Sequence, residues 1–150
     1  WLRLGHYTGG GDRRAGDGTH GTFFQSLATP RLYARFPFYN LMNVRDASAS
    51  VQLRPTPRLT LRGDLRALRL DAAADGWYQG SGPYDRVAFG LAVRPSGGAT
   101  PLATLIDLSA DLRLDAHWLV SAYLSDARPG AVIGDGSPGR FAFVELEWRR

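Results

Sequence analysis

A two-residue alternation runs through most of the chain and sets leucine and alanine against arginine, aspartate and serine. Successive side chains of an extended strand point to opposite sides, so this period reads as β-structure with one apolar and one polar face. Over residues 58–67, Leu59, Leu61, Gly63, Leu65 and Ala67 alternate with Arg58, Thr60, Arg62, Asp64 and Arg66. Over 47–54, Ala47, Ala49, Val51 and Leu53 alternate with Ser48, Ser50, Gln52 and Arg54. Over 102–114, Leu102, Ile106, Leu108, Ala110, Leu112 and Leu114 oppose Asp107, Ser109, Asp111 and Arg113; Thr104 breaks the first set and Leu105 the second. A weaker run sets Trp118, Val120, Ala122 and Leu124 against Leu119, Ser121, Tyr123 and Ser125. The last sets Ala142, Val144, Leu146 and Trp148 against Phe143, Glu145, Glu147 and Arg149, and Leu2 and Leu4 against Arg3 and Gly5 open the chain. Six strands are predicted, and the fold class is all-β.

The connections come in two lengths. Turns at about residues 55–57 and 114–117 are tight, and proline suits the first because a turn needs no ladder donor and its φ is already set. Connections at about 9–45, 71–101 and 127–139 are long and rich in Gly, Asp and aromatics. Short and long alternate, so an antiparallel up-and-down sheet would gather the short turns at one end and the long loops at the other. Outer-membrane barrels show that asymmetry, and runs of roughly 9–11 residues suit tilted strands crossing a bilayer.

Composition narrows the classes. The 150 residues suit one domain, and the absence of Cys excludes disulfide staples and thiolate metal sites. The longest apolar stretches resemble 87–93, far short of a membrane helix. The net charge is +4 and every basic residue is Arg. These arginines are spread from Arg3 to Arg150 among aspartates and are not gathered in a patch, so no nucleic-acid partner is expected. His6, His20 and His117 share no ligand spacing and no nucleophile motif is present, so neither metal, cofactor nor enzyme activity is predicted. Gly9-Gly10-Gly11-Asp12 and Gly134-Asp135-Gly136 read as turns, since they lack the repeat of calcium-binding turns. The chain begins at Trp1 without a leader segment, which is expected of a processed protein or of a piece of a longer one. Six strands cannot close a membrane barrel, so a barrel reading makes this a fragment.

The polar face carries Arg54, Arg58, Arg62, Arg66 and Arg113 with Asp64, Asp107, Asp111, Glu145 and Glu147. Charges this dense suit a water-filled lumen, and these ten residues are the predicted pore-lining set. Arg58, Arg62 and Arg66 would form a column spaced about 13 Å apart, an electrostatic track along the strand. Guanidinium suits the role because it stays charged and meets carboxylate in a planar fork. Trp118, Tyr123, Phe141 and Trp148 would suit interfacial girdles where they face outward. Phe23, Phe24, Tyr33, Phe36, Phe38 and Tyr39 in the first loop are expected to pack against the barrel mouth or wall. Two other readings stay open: a porin for small acidic solutes, and a soluble antiparallel domain binding an acidic ligand.

The first loop contains Gly16-Asp17-Gly18-Thr19-His20-Gly21-Thr22-Phe23-Phe24-Gln25, then Thr29-Pro30-Arg31-Leu32-Tyr33 and Phe36-Pro37-Phe38-Tyr39-Asn40-Leu41-Met42-Asn43. With Leu53-Arg54-Pro55-Thr56-Pro57, Trp77-Tyr78 and Arg94-Pro95-Ser96-Gly97-Gly98, this resembles the C-terminal part of the alginate export family. The resemblance implies an antiparallel transmembrane β-barrel of about 18 strands in the outer membrane of a Gram-negative cell, of which these would be the last six. It further implies an Arg-lined, anion-selective lumen for export of an anionic polysaccharide. The partners it implies are that polymer, outer-membrane lipid and periplasmic secretion proteins. The ending Trp148-Arg149-Arg150 departs from the terminal aromatic common in outer-membrane proteins.

Overall fold

The computed structural model describes residues 1–14, 16–25, 40–79, 87–88 and 91–150. Tyr33, Phe36, Phe38 and Tyr39 lie outside them. Six long strands, β1 (Leu2–Gly9), β2 (Val44–Thr56), β3 (Leu59–Leu70), β8 (Pro101–Arg113), β9 (Trp118–Pro129) and β10 (Gly139–Trp148), form one antiparallel sheet. Their order in the sheet, β1-β2-β3-β8-β9-β10, is their order in the chain. Among the described residues there is no helix, and β1 and β10 are unjoined edges, so the sheet is open. Two short antiparallel pairs, β4 (Gly76–Trp77) with β7 (Arg94–Pro95) and β5 (Val87–Ala88) with β6 (Leu91–Ala92), lie within the second long connection.

The short turns are built from side-chain acceptors. Thr56 Oγ1 accepts from the Arg58 and Leu59 amides at 3.3 and 3.1 Å. Asp115 Oδ1 accepts from the His117 and Trp118 amides at 2.7 and 2.9 Å, and these two bonds hold its carboxyl below the ordinary range. Each arrangement gives loose amides a local acceptor and so lets the chain reverse in a few residues.

The buried core is not on the leucine-rich face. It comprises Val44, Leu68, Leu70, Ala103, Leu105 and Ala127 with Leu102, Trp77 and Val132. Leu68 and Leu70 share parity with Arg62 and Arg66, so toward the long-loop end the polar face turns apolar. The connections fold back upon it there: Gly130 donates to Leu102 O at 2.7 Å and Val132 to Pro101 O at 3.0 Å.

Asn43 ties the first two long connections together. Fully buried, at φ +52°, it accepts from the Ala72 amide at 2.8 Å and donates to Ala72 O at 3.1 Å and Gly76 O at 2.9 Å. Gly11 is required beside it, because a Cβ there would lie 1.9 Å from Asn43 Oδ1. Removing this side chain strands three backbone groups, each costing about 1–3 kcal/mol when left unpaired. Asn43→Ala is expected to lower the denaturation midpoint strongly. Asn43→Asp, which keeps the acceptor but sets a buried carboxylate oxygen against the Ala72 and Gly76 carbonyls, should lower it at least as far.

Candidate functional site: the arginine face and the leucine face

Strand register decides which side chains share a face. One row across the sheet runs Arg3, Ser50, Asp64, Asp107, Ser125, Phe141. The next row toward the short turns runs Gln52, Arg62, Ser109, Tyr123, Phe143, and the row after that carries Thr60, Asp111, Ser121 and Glu145. These positions form the arginine face. Three aspartates on it sit directly across from a serine that donates to them: Ser50 to Asp64, Ser125 to Asp107 at 2.5 Å, and Ser121 to Asp111 at 2.6 Å. Arg62 meets Asp64 in a fork at 2.7 and 3.0 Å. Arg66 donates to Asp46, and both are buried, at 8% and 2% exposure. Among the described residues, Asp46 Oδ1 and Arg66 Nε have no hydrogen-bond partner.

The predicted residues separate by role. Arg62, Asp64, Asp107 and Asp111 lie together in adjacent rows at the middle of the arginine face. Arg66 is a buried structural cation one row further toward the loops. Arg54, Arg113 and Glu145 are exposed on this face nearer the short turns and form no ion pair among the described residues. Arg58 stands in the turn before β3, and Glu147 bonds Arg149 at 2.6 and 3.0 Å. Asp46, Ser50 and Ser125 are further members of the charged network. Asp46 has the parity of Ser48 and Ser50 and lies one residue before the alternation read from the sequence, which was the signal that could have found it.

Tyr123, Phe141 and Phe143 also lie on the arginine face. Tyr123 and Phe143 are stacked at 5.3 Å between centroids, and Phe141 is 6.0 and 5.9 Å from them. Parity therefore removes Tyr123 and Phe141 from any girdle on the opposite side. Trp118 and Trp148, direct cross-strand partners, are exposed on the leucine face.

On that leucine face, Leu4, Leu65, Leu108, Leu124 and Val144 are each at least half exposed. A trough of about 720 Å³ runs over Gly63, Ala110, Ala122 and Ala142, flanked by leucine and valine. The apolar stretch covers 142–148 on β10, 118–124 on β9, 106–114 along and just past β8, 59–67 on β3 and 47–53 on β2. Cross-strand partners Leu4, Ala49, Leu65, Ile106, Asp126 and Arg140 give a common reference row. Measured from it, both boundaries of the apolar stretch shift toward the loops by four residues between β10 and β2. Four residues over four strand steps is about 13 Å across about 19 Å, so the band crosses the strands obliquely, at about 35°. Along β3 it extends about 26 Å.

At the loop end, Asp71 joins the strands to the first connection. It accepts from Arg45 Nε at 2.6 Å and from the Gly11 amide at 3.2 Å, with Arg13 at 3.7 Å. A polar cavity of about 520 Å³ nearby is lined by Asp12, His20, Asp75 and Tyr78 among others. Asp75 accepts there from the Asp12 and Gly76 amides, Thr22 and Tyr78. No cluster of metal-ligating side chains occurs among the described residues. No family model, curated protein or solved structure matches the chain.

Removing one partner of the buried pair leaves an uncompensated charge, so Asp46→Leu or Arg66→Leu alone should cost about 3–5 kcal/mol, with the double replacement near neutral. A double-mutant cycle in denaturant checks this. For Asp71, burial pushes the pKa up, but the bonds from Arg45 and Gly11 outweigh it and hold the carboxyl below its ordinary value. A depressed folded pKa gives stability that is present above the unfolded value and lost as pH falls through the folded one. Protection of the Gly11 amide, corrected for intrinsic exchange, should therefore drop as pH falls below about 4. In Asp71→Asn that step should vanish.

Proposed function

We propose that this sheet is a wall segment of an outer-membrane β-barrel in a Gram-negative cell, and that the barrel is a passive export channel for an anionic polysaccharide. The observation that carries the reading is the inverted placement of side chains: leucines and valines at least half exposed on one face, Arg66 and Asp46 buried on the other. A water-soluble sandwich would bury the leucine face against a second layer. Lipid satisfies an exposed apolar face at no cost in unpaired polar groups, provided the strands are hydrogen-bonded along their length, as they are within this sheet.

The oblique band supports the same reading independently. A slab of constant thickness cutting tilted strands gives two boundaries that drift in parallel, and about 35° is the lower end of the tilt found in membrane barrels. Corrected for that tilt, the span along β3 is about 21 Å, near the roughly 25 Å apolar band of such proteins. Trp118 and Trp148 close it on the short-turn side, where interfacial indoles belong. The open edges at β1 and β10 call for further strands, in keeping with the barrel of about 18 that the sequence resemblance implies.

On the lumen side, Asp107 and Asp111 are bonded by serine and not by arginine, while Asp64 takes Ser50 together with the Arg62 fork. Cationic Arg54 and Arg113 are thereby left to attract passing carboxylates. Phe141 and Phe143 present ring surface on the same face as Arg62, backed by the buried Tyr123, and aromatic faces pack against the C–H faces of sugar rings. That pairing of guanidinium with ring surface favours a uronate polymer over small inorganic anions. Export along this track needs attraction at many weak sites, and exposed pairs of about 0–1 kcal/mol are of that kind.

The full-length protein in planar bilayers is expected to conduct with anion preference, and a soluble polyuronate should block the current transiently. Arg54→Gln with Arg62→Gln should reduce both the preference and the block. Absence of conductance, or cation preference unmoved by those substitutions, refutes the channel; anion preference with no polymer block points to small acidic solutes.

A further inference from the structure

The leucine face is bounded differently at its two ends. On the short-turn side it ends in Trp118 and Trp148. On the long-loop side the arginines of the same parity nearest the boundary are Arg45 on β2, Arg69 on β3, Arg140 on β10 and, one position of that parity beyond Asp126, Arg128 on β9, with Thr104 between them on β8. All four are exposed. They follow the oblique boundary, so in a membrane crossed at that tilt they stand at about one level, just beyond the hydrocarbon.

The local pairing leaves this row short of negative charge. Arg45 and Arg69 are direct cross-strand partners, and like charges in that position repel. Arg45 has Asp71, but Arg69 bonds only the neutral Thr100 Oγ1, at 3.0 Å, among the described residues. Arg128 and Arg140 share one carboxylate, Asp126, at 3.0 and 3.1 Å. An anion with several oxygens would relieve both crowded pairs, and guanidinium forks suit phosphate oxygens. Further along the same face, toward the short turns, lies the apolar trough over Gly63, Ala110, Ala122 and Ala142. Phosphate above and hydrocarbon below is the chemistry of an anionic lipid.

Resting on the membrane reading above, we propose that Arg45, Arg69, Arg128 and Arg140 form an outer-surface seat for a phosphate-bearing lipid headgroup on the long-loop side of the membrane, with the acyl chains lying along the leucine face. The seat is separate from the lumen, because these side chains have the parity opposite to Arg62 and Arg66.

The test uses full-length protein reconstituted into vesicles of zwitterionic phosphatidylcholine, with and without a diphosphorylated glucosamine lipid. Flotation first scores insertion, and failure to insert overturns the membrane reading and the seat with it. For inserted protein, the phosphorylated lipid is expected to raise the unfolding midpoint. The rise should be lost in the quadruple Arg→Gln variant and kept in Arg54→Gln with Arg62→Gln. Arg69→Gln, which disturbs no ion pair, should reduce the rise without lowering the midpoint in phosphatidylcholine alone, and it serves where the quadruple variant does not fold. An equal rise in native protein and Arg69→Gln, or no rise with native protein, overturns the seat. The same rise with inorganic phosphate alone also overturns it, in favour of a free-anion site.

Discussion

The structure depends on the in-register pairing of six strands, which over the strand middles places the leucines on one side of the sheet and Arg62, Arg66 and the aspartates on the other. Side chains alternate with a period of two, so a slip of one residue in any strand would set arginines among leucines. The Ser50–Asp64, Asp107–Ser125 and Asp111–Ser121 pairs act as register marks, since each aspartate finds its donor only if the strands are aligned as they are. A hydroxyl does this without neutralising the neighbouring guanidiniums.

From that separation the two faces take different tasks. Among the described residues the leucine face has no covering layer, so its leucines and valines stay at least half exposed at several positions. The arginine face shelters its innermost charges and buries an apolar core at the loop end, where Leu68, Leu70 and Leu105 replace the charged residues of the strand middles. Asn43, Asp71 and Asp75 then hold the long connections down over that end through hydrogen bonds to backbone amides and carbonyls. The device is economical because each side chain serves several backbone groups that would otherwise lie unpaired.

Much of this was legible in the chain. The alternation around Leu59–Arg66 and Ala142–Trp148 located the strands, and the two classes of connection length predicted a sheet whose spatial order follows the chain. Strand ends were less legible. The run read as beginning at Ala47 starts at Val44, so Asp46, partner of Arg66, was passed over. Tyr123 and Phe141 suited a girdle only if they faced outward. Register shows them on the arginine face instead. Arg66 was expected in the same open column as Arg62, but the neighbouring strand brings Asp46 against it and the two are buried together.

The sequence alone determined the all-β class, the two-sidedness of each strand and the positions of the tight turns, because these follow from the two-residue period and from local turn chemistry. Only the tertiary structure decided which arginines are sheltered and which are open, and that the apolar band runs obliquely across the sheet. Those depend on the stagger between strands far apart in the chain, and stagger is set by cross-strand hydrogen bonds and packing that no single strand encodes.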